Sequence, residues 1–294
     1  MRVLVVVNKE APNAEDASLM LAAYFISQGI DYALVNSRDI PTPEALSANA
    51  TEALRNLKIA SEYDLLIVLG GDGTILRASR LAHVLDAPVF GINYGHLGFL
   101  ANSNEDGVVT LVAAALAGDV SEEMRTNLNV EVICAGDEEI ETQPLEPRTF
   151  FALNEVTIGR GDSPQMLSAT VEISGDEICT LRGDGVIVSS PTGSTAYALS
   201  AGGPLVAPES RAMVIVPLAT HTLQSRSIVT QGSDVVEVHF GKEENLRPKL
   251  ELDGTTLCLD APIERVIVSC GAKPTRMLYY KKESFYSRVS RVFF

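Results

Sequence analysis

Leu65-Leu66-Ile67-Val68-Leu69 is an unbroken apolar run, and Gly70-Gly71-Asp72-Gly73-Thr74 follows it directly. An apolar run of strand length fits a strand buried on both faces, the kind found in parallel sheets. The glycines let the chain turn sharply, and Thr74 to Leu85 reads as a helix. Strand, tight turn and helix form the unit from which helix-covered parallel sheets are built.

The same alternation continues outward. Val3 to Val7 is a β-branched run. Asn13-Ala14-Glu15-Asp16 opens a helix, and Ser18 to Gln28 continues it until Gly29. Tyr32 to Val35 reads as a strand, and Pro43 to Leu57 as a helix with Pro43 near its first turn. Pro88 to Ile92 is a strand and Asp106 to Leu116 a helix. This predicts an α/β domain with a Rossmann-like parallel sheet over residues 1–125.

Past about Thr126 short β-rich runs replace the alternation: Leu128 to Cys134, Leu153 to Ile158, Leu167 to Ile173, Val186 to Ser189, Met213 to Val216, Val235 to Phe240, Lys249 to Leu252 and Val266 to Ser269. Residues 126–274 are therefore expected to form an all-β, sandwich-like domain. Glu138 to Arg148, acidic and with two prolines, reads as an exposed loop. In the aromatic, basic tail, Phe285, Tyr286, Val289 and Val292 are expected to share one face. Residues 275–294 are expected to pack back on the first domain rather than serve a membrane or a partner.

The 294 residues allow one large domain or two moderate ones. Hydrophobic residues are 46% and charged residues 21%, ordinary for a soluble globular chain. A net charge of -15 argues against tracking a nucleic-acid backbone and against docking on anionic membranes. It also means that any phosphate site must be built locally, from amides, a few arginines and metal. Met1 to Asn8 suits a first strand better than a signal peptide, and no apolar run nears the roughly 18 residues of a membrane span. Cys134, Cys179, Cys258 and Cys270 are scattered and read as buried, reduced thiols, so a cytoplasmic location is expected. His83, His96, His221 and His239 are too dispersed for a metal cluster.

The Gly70 to Thr74 turn is an anion site by construction. Glycines give close backbone approach, and the first amides of the next helix point outward with the positive end of the dipole behind them. Asp72 is out of place in a pure phosphate cradle, because a carboxylate repels phosphate. It suits a hydroxyl about to lose its proton, or a metal ion; otherwise it is a helix N-cap. The loop lacks the Gly-Lys-Ser/Thr of a Walker A motif and the G-x-G-x-x-G of the dinucleotide fingerprint. It resembles the Gly-Gly-Asp-Gly motif shared by NAD kinases, diacylglycerol and sphingosine kinases and 6-phosphofructokinases. Alone, it implies phosphoryl transfer and leaves the acceptor open.

Three further stretches narrow the resemblance. They are Phe90 to Leu100 (FGINYGHLGFL), Asn154-Glu155, and Gly183 to Tyr197 (GDGVIVSSPTGSTAY) followed by Ser200-Ala201-Gly202-Gly203-Pro204. All resemble NAD kinase motifs, in family order; lipid kinases of the superfamily lack the long Pro-Thr-Gly-Ser-Thr-Ala-Tyr stretch. The segment from Ala219 to Ser227 is similar to a family segment written with Pro-His-Ser-Leu and Arg-Pro-Leu, departing from it at Ala219, Thr220, Thr222 and Ser227.

Several residues make chemical sense unaided. Asn154 and Glu155 set an amide beside a carboxylate, which suits a ribose diol; the plain alternative is a strand-end turn. Arg182 can fork onto a phosphate or carboxylate, or lie idle at the surface. Asp184, between two glycines, can accept from an amide. Ser194, Thr195, Ala196 and Tyr197 suit an adenine, and Phe99 either joins them or fills a core. Asp253-Gly254 is similar to a late Asp-Gly near the family's active site, and a hairpin turn explains it equally well.

The resemblance implies the rest. Asp72 would be the catalytic base. NAD would meet Asp72, Gly73, Arg77, Phe99, Asn154, Glu155, Arg182, Asp184, Thr195, Ala196, Tyr197, Ala198, Leu199, Ser200 and Ala219. Gly70, Gly71, Gly73 and Thr74 would hold the donor phosphates, with Mg²⁺ arriving on ATP or on polyphosphate. The active site would lie between the domains of a homodimer or homotetramer, a neighbouring subunit helping to complete the NAD site. An arginine at the Arg182 position is associated with preference for NAD over NADH. The alternatives are a lipid or sugar kinase with the same loop, and a sensor that binds NAD or NADP without turnover.

Overall fold

In the computed structural model the apolar run at 65–69 becomes an interior strand of a six-stranded sheet, with every residue buried. Residues 1–96, 98–135, 148–221, 225–241 and 248–294 are described. They form two compact units, Met1–Arg125 with Thr275–Phe294, and Thr126–Pro274.

The first unit runs β1 (Arg2–Val7), α1 (Pro12–Gln28), β2 (Asp31–Asn36), α2 (Pro43–Asn56), β3 (Leu65–Gly70), α3 (Asp72–Leu85), β4 (Val89–Asn93), α4 (Val108–Ala117) and β5 (Ser121–Arg125). Strands β1 to β4 pair in parallel in the order β2-β1-β3-β4. Val3, Val5 and Val7, with Leu65, Ile67 and Leu69, share a core with Leu21 and Phe25 of α1 and Leu111 and Val112 of α4. Gly29 ends α1 in the left-handed conformation (φ 65°), which costs glycine nothing. Helix α3 starts two residues before the Thr74 expected from sequence. Gly71 takes the N-cap position, which places Asp72 inside the first turn and not at the cap.

The second unit is built of β6 (Leu128–Cys134), β7 (Arg148–Ala152), β8 (Glu155–Gly159), β9 (Leu167–Ile173), β10 (Asp176–Gly183), β11 (Gly185–Ser189), the short α5 (Tyr197–Ser200), β12 (Val214–Leu218), β13 (Ile228–Val229), β14 (Val235–Phe240), β15 (Lys249–Leu252), β16 (Thr255–Thr256) and β17 (Ile263–Cys270). Two six-stranded sheets, β10-β9-β14-β17-β6-β7 and β13-β12-β11-β8-β15-β16, contribute to one core. All their pairings are antiparallel. Alternate residues such as Val130 and Val132 of β6 meet Val156 and Ile158 of β8 in it. Of the expected loop at 138–148, residues 138–147 lie outside the described residues, and Arg148 begins β7.

The chain then supplies β18 (Thr275–Tyr279) and α6 (Phe285–Phe293) to the first unit. Strand β18 lies between β4, which it parallels, and β5, which it opposes. On α6 Val289 is buried, whereas Tyr286 is 72% exposed. The expected shared face is corrected there: Tyr286 sits about 100° around the helix from Phe285. Among the described residues no helix is long and apolar enough to cross a membrane. The four cysteines are thiols, Cys134 and Cys270 buried, Cys179 half-buried and Cys258 exposed, so the expectation of four buried ones holds at two positions.

Candidate active site

The loop after β3 sits at the carboxyl end of the sheet, beside the β1/β3 point where strand order reverses, the position at which open α/β sheets bind ligands. Of its glycines Gly70 answers to a close contact, while Gly73 opens onto free space. A side chain at Gly70 would collide with Thr74, which is buried over it. Gly95 approaches Gly71 backbone to backbone, and the Gly70 carbonyl accepts from the Tyr94 amide at 3.2 Å. Thr74 N–H closes a turn onto the Gly71 carbonyl at 2.9 Å, so the Asp72 and Gly73 amides stand at the open, positive end of α3. Half-buried Arg77 folds back, its Nε donating to the Gly73 carbonyl at 3.1 Å.

Asp72 does not point into that anion site. Its Oδ2 accepts the Phe99 amide at 2.8 Å and its Oδ1 the Leu100 amide at 3.2 Å. Burial raises the proton affinity of this carboxyl; the two amides and the charges of Arg288 and Arg125 oppose the rise. Each carboxylate oxygen keeps a lone pair for a hydroxyl. Phe99 stacks on Phe293 at 5.5 Å and tilts against Phe285 at 6.5 Å, so its ring packs within its own unit.

The second unit builds a separate constellation at the start of β8. Asp253 and Gly254 form the two-residue turn between β15 and β16, both with positive φ (48° and 71°), as a type I′ hairpin requires. The Asp253 carboxylate also collects three amides, from Leu153 (2.8 Å), Asn154 (2.7 Å) and Glu155 (3.1 Å). The hairpin that the sequence allows is thus present, and its aspartate also clamps the Asn154-Glu155 turn. Ser190 braces the same turn, its hydroxyl donating to the Leu153 carbonyl at 2.6 Å and its amide to the Asn154 carbonyl at 2.7 Å.

Within this frame Asn154 Oδ1, Glu155 Oε2 and Thr192 Oγ1 are buried and have no hydrogen-bond partner among the described residues. Orphaned buried polar atoms are costly in a native structure, and these three, in adjoining turns, are able to serve a polar ligand. The Glu155 carboxyl is pushed up to about 8, first by burial and then by the neighbouring Asp253 charge. In the run after it, Thr195 Oγ1 is turned back to the Thr192 carbonyl at 3.1 Å. Tyr197 is 47% exposed, Ala196 and Leu199 are half-buried and Ser200 is exposed. Ala198 faces the core with Ile187, Val214 and Val216. Ser194 is fully buried and bonds internally to Pro191 and Val206, which corrects the expectation that its hydroxyl faces an adenine.

Arg182, Asp184 and Ala219 are not brought to this turn. Glu155 pairs with Ser189 at one end of β8 and β11, and Gly159 with Gly185 at the other. Asp184, one residue before Gly185, therefore lies five residues away, roughly 16 Å along the sheet. There it binds Arg160 at 2.7 Å, a partner that the sequence reading missed, while its amide donates to the Leu218 carbonyl at 3.0 Å. Arg182 and Ala219 are exposed beside it. Thr222 and Leu223 lie outside the described residues.

Residues 3–120 match the ATP-NAD kinase N-terminal domain and residues 153–279 the ATP-NAD kinase C-terminal domain. An NAD kinase of Chromohalobacter salexigens is 34% identical over 88% of this chain and 84% of its own. The chain belongs to the NAD kinase family. A second relative, the NAD kinase of Corynebacterium glutamicum, is 35% identical over 92% of this chain and 91% of its own. The fold agrees with two solved structures. Yeast NADH kinase complexed with NADH superposes with a TM-score of 0.75, at 21% identity over 99% of this chain and 87% of that one. An NAD kinase from Archaeoglobus fulgidus in complex with ATP gives 0.67, at 24% identity over 99% and 100%.

Proposed function

We propose that the chain moves the terminal phosphoryl group of ATP, or of inorganic polyphosphate, to the 2′-hydroxyl of the adenosine ribose of NAD, giving NADP. The observation that carries this reading is Asp72, a carboxylate of raised proton affinity held by two amides beside an open helix start. Asp72 takes the 2′-hydroxyl proton as the oxygen–phosphorus bond forms and the bond to the leaving phosphate breaks. Mg²⁺ arrives on the donor as part of the substrate and neutralises its phosphates. The amides of the Gly70 to Thr74 turn, with Arg77 nearby, add local positive charge to a chain of net charge -15.

Asn154 and Glu155 take the ribose hydroxyls, which supply partners for their orphaned atoms. The Thr195 to Ser200 run, with exposed Tyr197, takes the adenine. We assign Arg182, Asp184 and Ala219 to a nucleotide bound at a second copy of the chain, in a homodimer or homotetramer. The strand length that separates them from Asn154 supports this. Cysteines held as thiols support a reducing, cytoplasmic setting.

Incubation with NAD or NADH and either Mg-ATP or Mg-polyphosphate, followed by an NADP-specific dehydrogenase assay, tests the reaction. Saturable NAD binding without product would favour a sensor. The Asp72→Asn variant should stay folded and bind NAD while losing about 10²–10⁴-fold in kcat. Near-full turnover would sink the assignment of the base.

A further inference from the structure

One peptide group joins the C-terminal helix to Asp72. The Leu100 N–H donates to Asp72 Oδ1 at 3.2 Å, and the carbonyl of that same peptide, on Phe99, accepts from Arg288 Nη1 at 2.7 Å. The guanidinium faces the oxygen end of the peptide dipole and the carboxylate faces its N–H end. Both contacts are favourable and each polarises the group that makes the other. A side chain of α6 thereby meets Asp72 through a single planar unit.

Arg288 is built in rather than draped over the surface. Its side chain is 13% exposed, although arginine usually keeps its head in water. Its Nε lies 3.5 Å from Glu283, and its guanidinium 6.0 Å from the centre of the Tyr279 ring. Tyr279 is buried, and its hydroxyl accepts from Arg125 Nη2 at 2.8 Å. Arg125 pairs with Glu123, which Lys282 also reaches at 2.7 Å. The grip is double, because Phe99 carries its ring against Phe285 and Phe293 of the same helix. A loop held at a backbone oxygen and at a ring has little freedom left.

We infer that Arg288 is a positioning residue for Asp72, acting through the Phe99–Leu100 peptide, and that α6 belongs to the phosphoryl-transfer machinery. This rests on the reading of Asp72 as the base. The charged groups around Asp72 give the sign of the test. Arg288 and Arg125 favour its ionised form, and burial opposes it. Arg77, on α3 itself, is turned to the Gly73 carbonyl. Glu123, Glu283 and Lys282 act on the two arginines. Removing the Arg288 charge leaves burial less opposed, so Asp72 ionises at higher pH.

The experiment is the pH dependence of kcat/KM for the full chain with Mg-ATP and NAD. Arg288→Gln should lower kcat roughly 10-fold near neutral pH, with both KM values within about twofold. Its acid limb should move up by roughly 0.5–1 pH unit. Arg288→Lys, which keeps the charge, should leave the limb near its original position. If Arg288→Gln fails to fold, Arg288→Met keeps the aliphatic stem over Tyr279 and is expected to show the same shift. An unmoved limb in the uncharged variants, or an equal shift in the lysine variant, overturns the inference. Asp72→Asn run in parallel separates the two readings. Full activity there removes the base, and the inference with it; an inactive Asp72→Asn beside unshifted Arg288 variants removes the inference alone.

Discussion

Glu155 carries a proton at neutral pH, because its carboxyl is pushed up to about 8 by burial and by the Asp253 charge. A neutral carboxyl both donates and accepts, which matches the two needs of a hydroxyl pair. The consequence for stability has a definite sign. The unfolded chain gives up this proton near 4.5 and the folded chain near 8, so stability is lost as pH rises through that window. Glu155→Gln has no such proton to lose. Its melting temperature should gain on the parent's by a few degrees between about pH 5 and about pH 9. Melting curves of the two proteins across that range, parallel throughout, would refute the assigned protonation. The pairing of Asn154 with Glu155 was legible in the sequence, since an amide beside a carboxylate is a local fact. The Asp253 clamp was not, because it joins residues about a hundred positions apart.

At the scale of elements, the turn after β4 matters as much as the glycine loop. Gly98 lies against the Asp72 carboxylate, and a methyl group there would overlap it. Gly98→Ala should therefore push the carboxylate off the Phe99 and Leu100 amides. A kcat loss of about 10²-fold is expected, in the range that a misplacement of about 1 Å costs. Far-UV circular dichroism should stay unchanged; near-parental kcat would show that the contact is dispensable. The β3–turn–α3 unit was legible because a fully apolar run, glycines and a helix start follow one another. Strand β10, Asp176–Gly183, was not, because most of it lies exposed at a sheet edge and shows no apolar alternation. Strand β5, Ser121–Arg125, is an edge strand too, and reads as polar.

The whole molecule is two units, and only one of them is continuous in sequence. Strand β18 lies inside the first sheet, with β4 on one side and β5 on the other. Its sequence, Thr275 to Tyr279, contains an arginine and gives no local sign of a partner about 190 residues earlier. Dividing the chain at these limits should have unequal results. The Thr126–Pro274 fragment keeps both of its sheets and their shared core and should give a dispersed amide NMR spectrum. The Met1–Arg125 fragment leaves β4 and β5 without the strand between them and should not fold. A dispersed spectrum from that fragment would contradict this account.

The interleaving also sets an order of events during synthesis. The glycine loop and Asp72 leave the ribosome early, yet the sheet beneath them stays open until Thr275 to Tyr279 has followed. The β-rich unit has by then been made in full, so it is free to fold first. A truncated translation product would thus carry a finished β-rich half beside an α/β sheet still open, and the cell would be spared a kinase that works before it is whole.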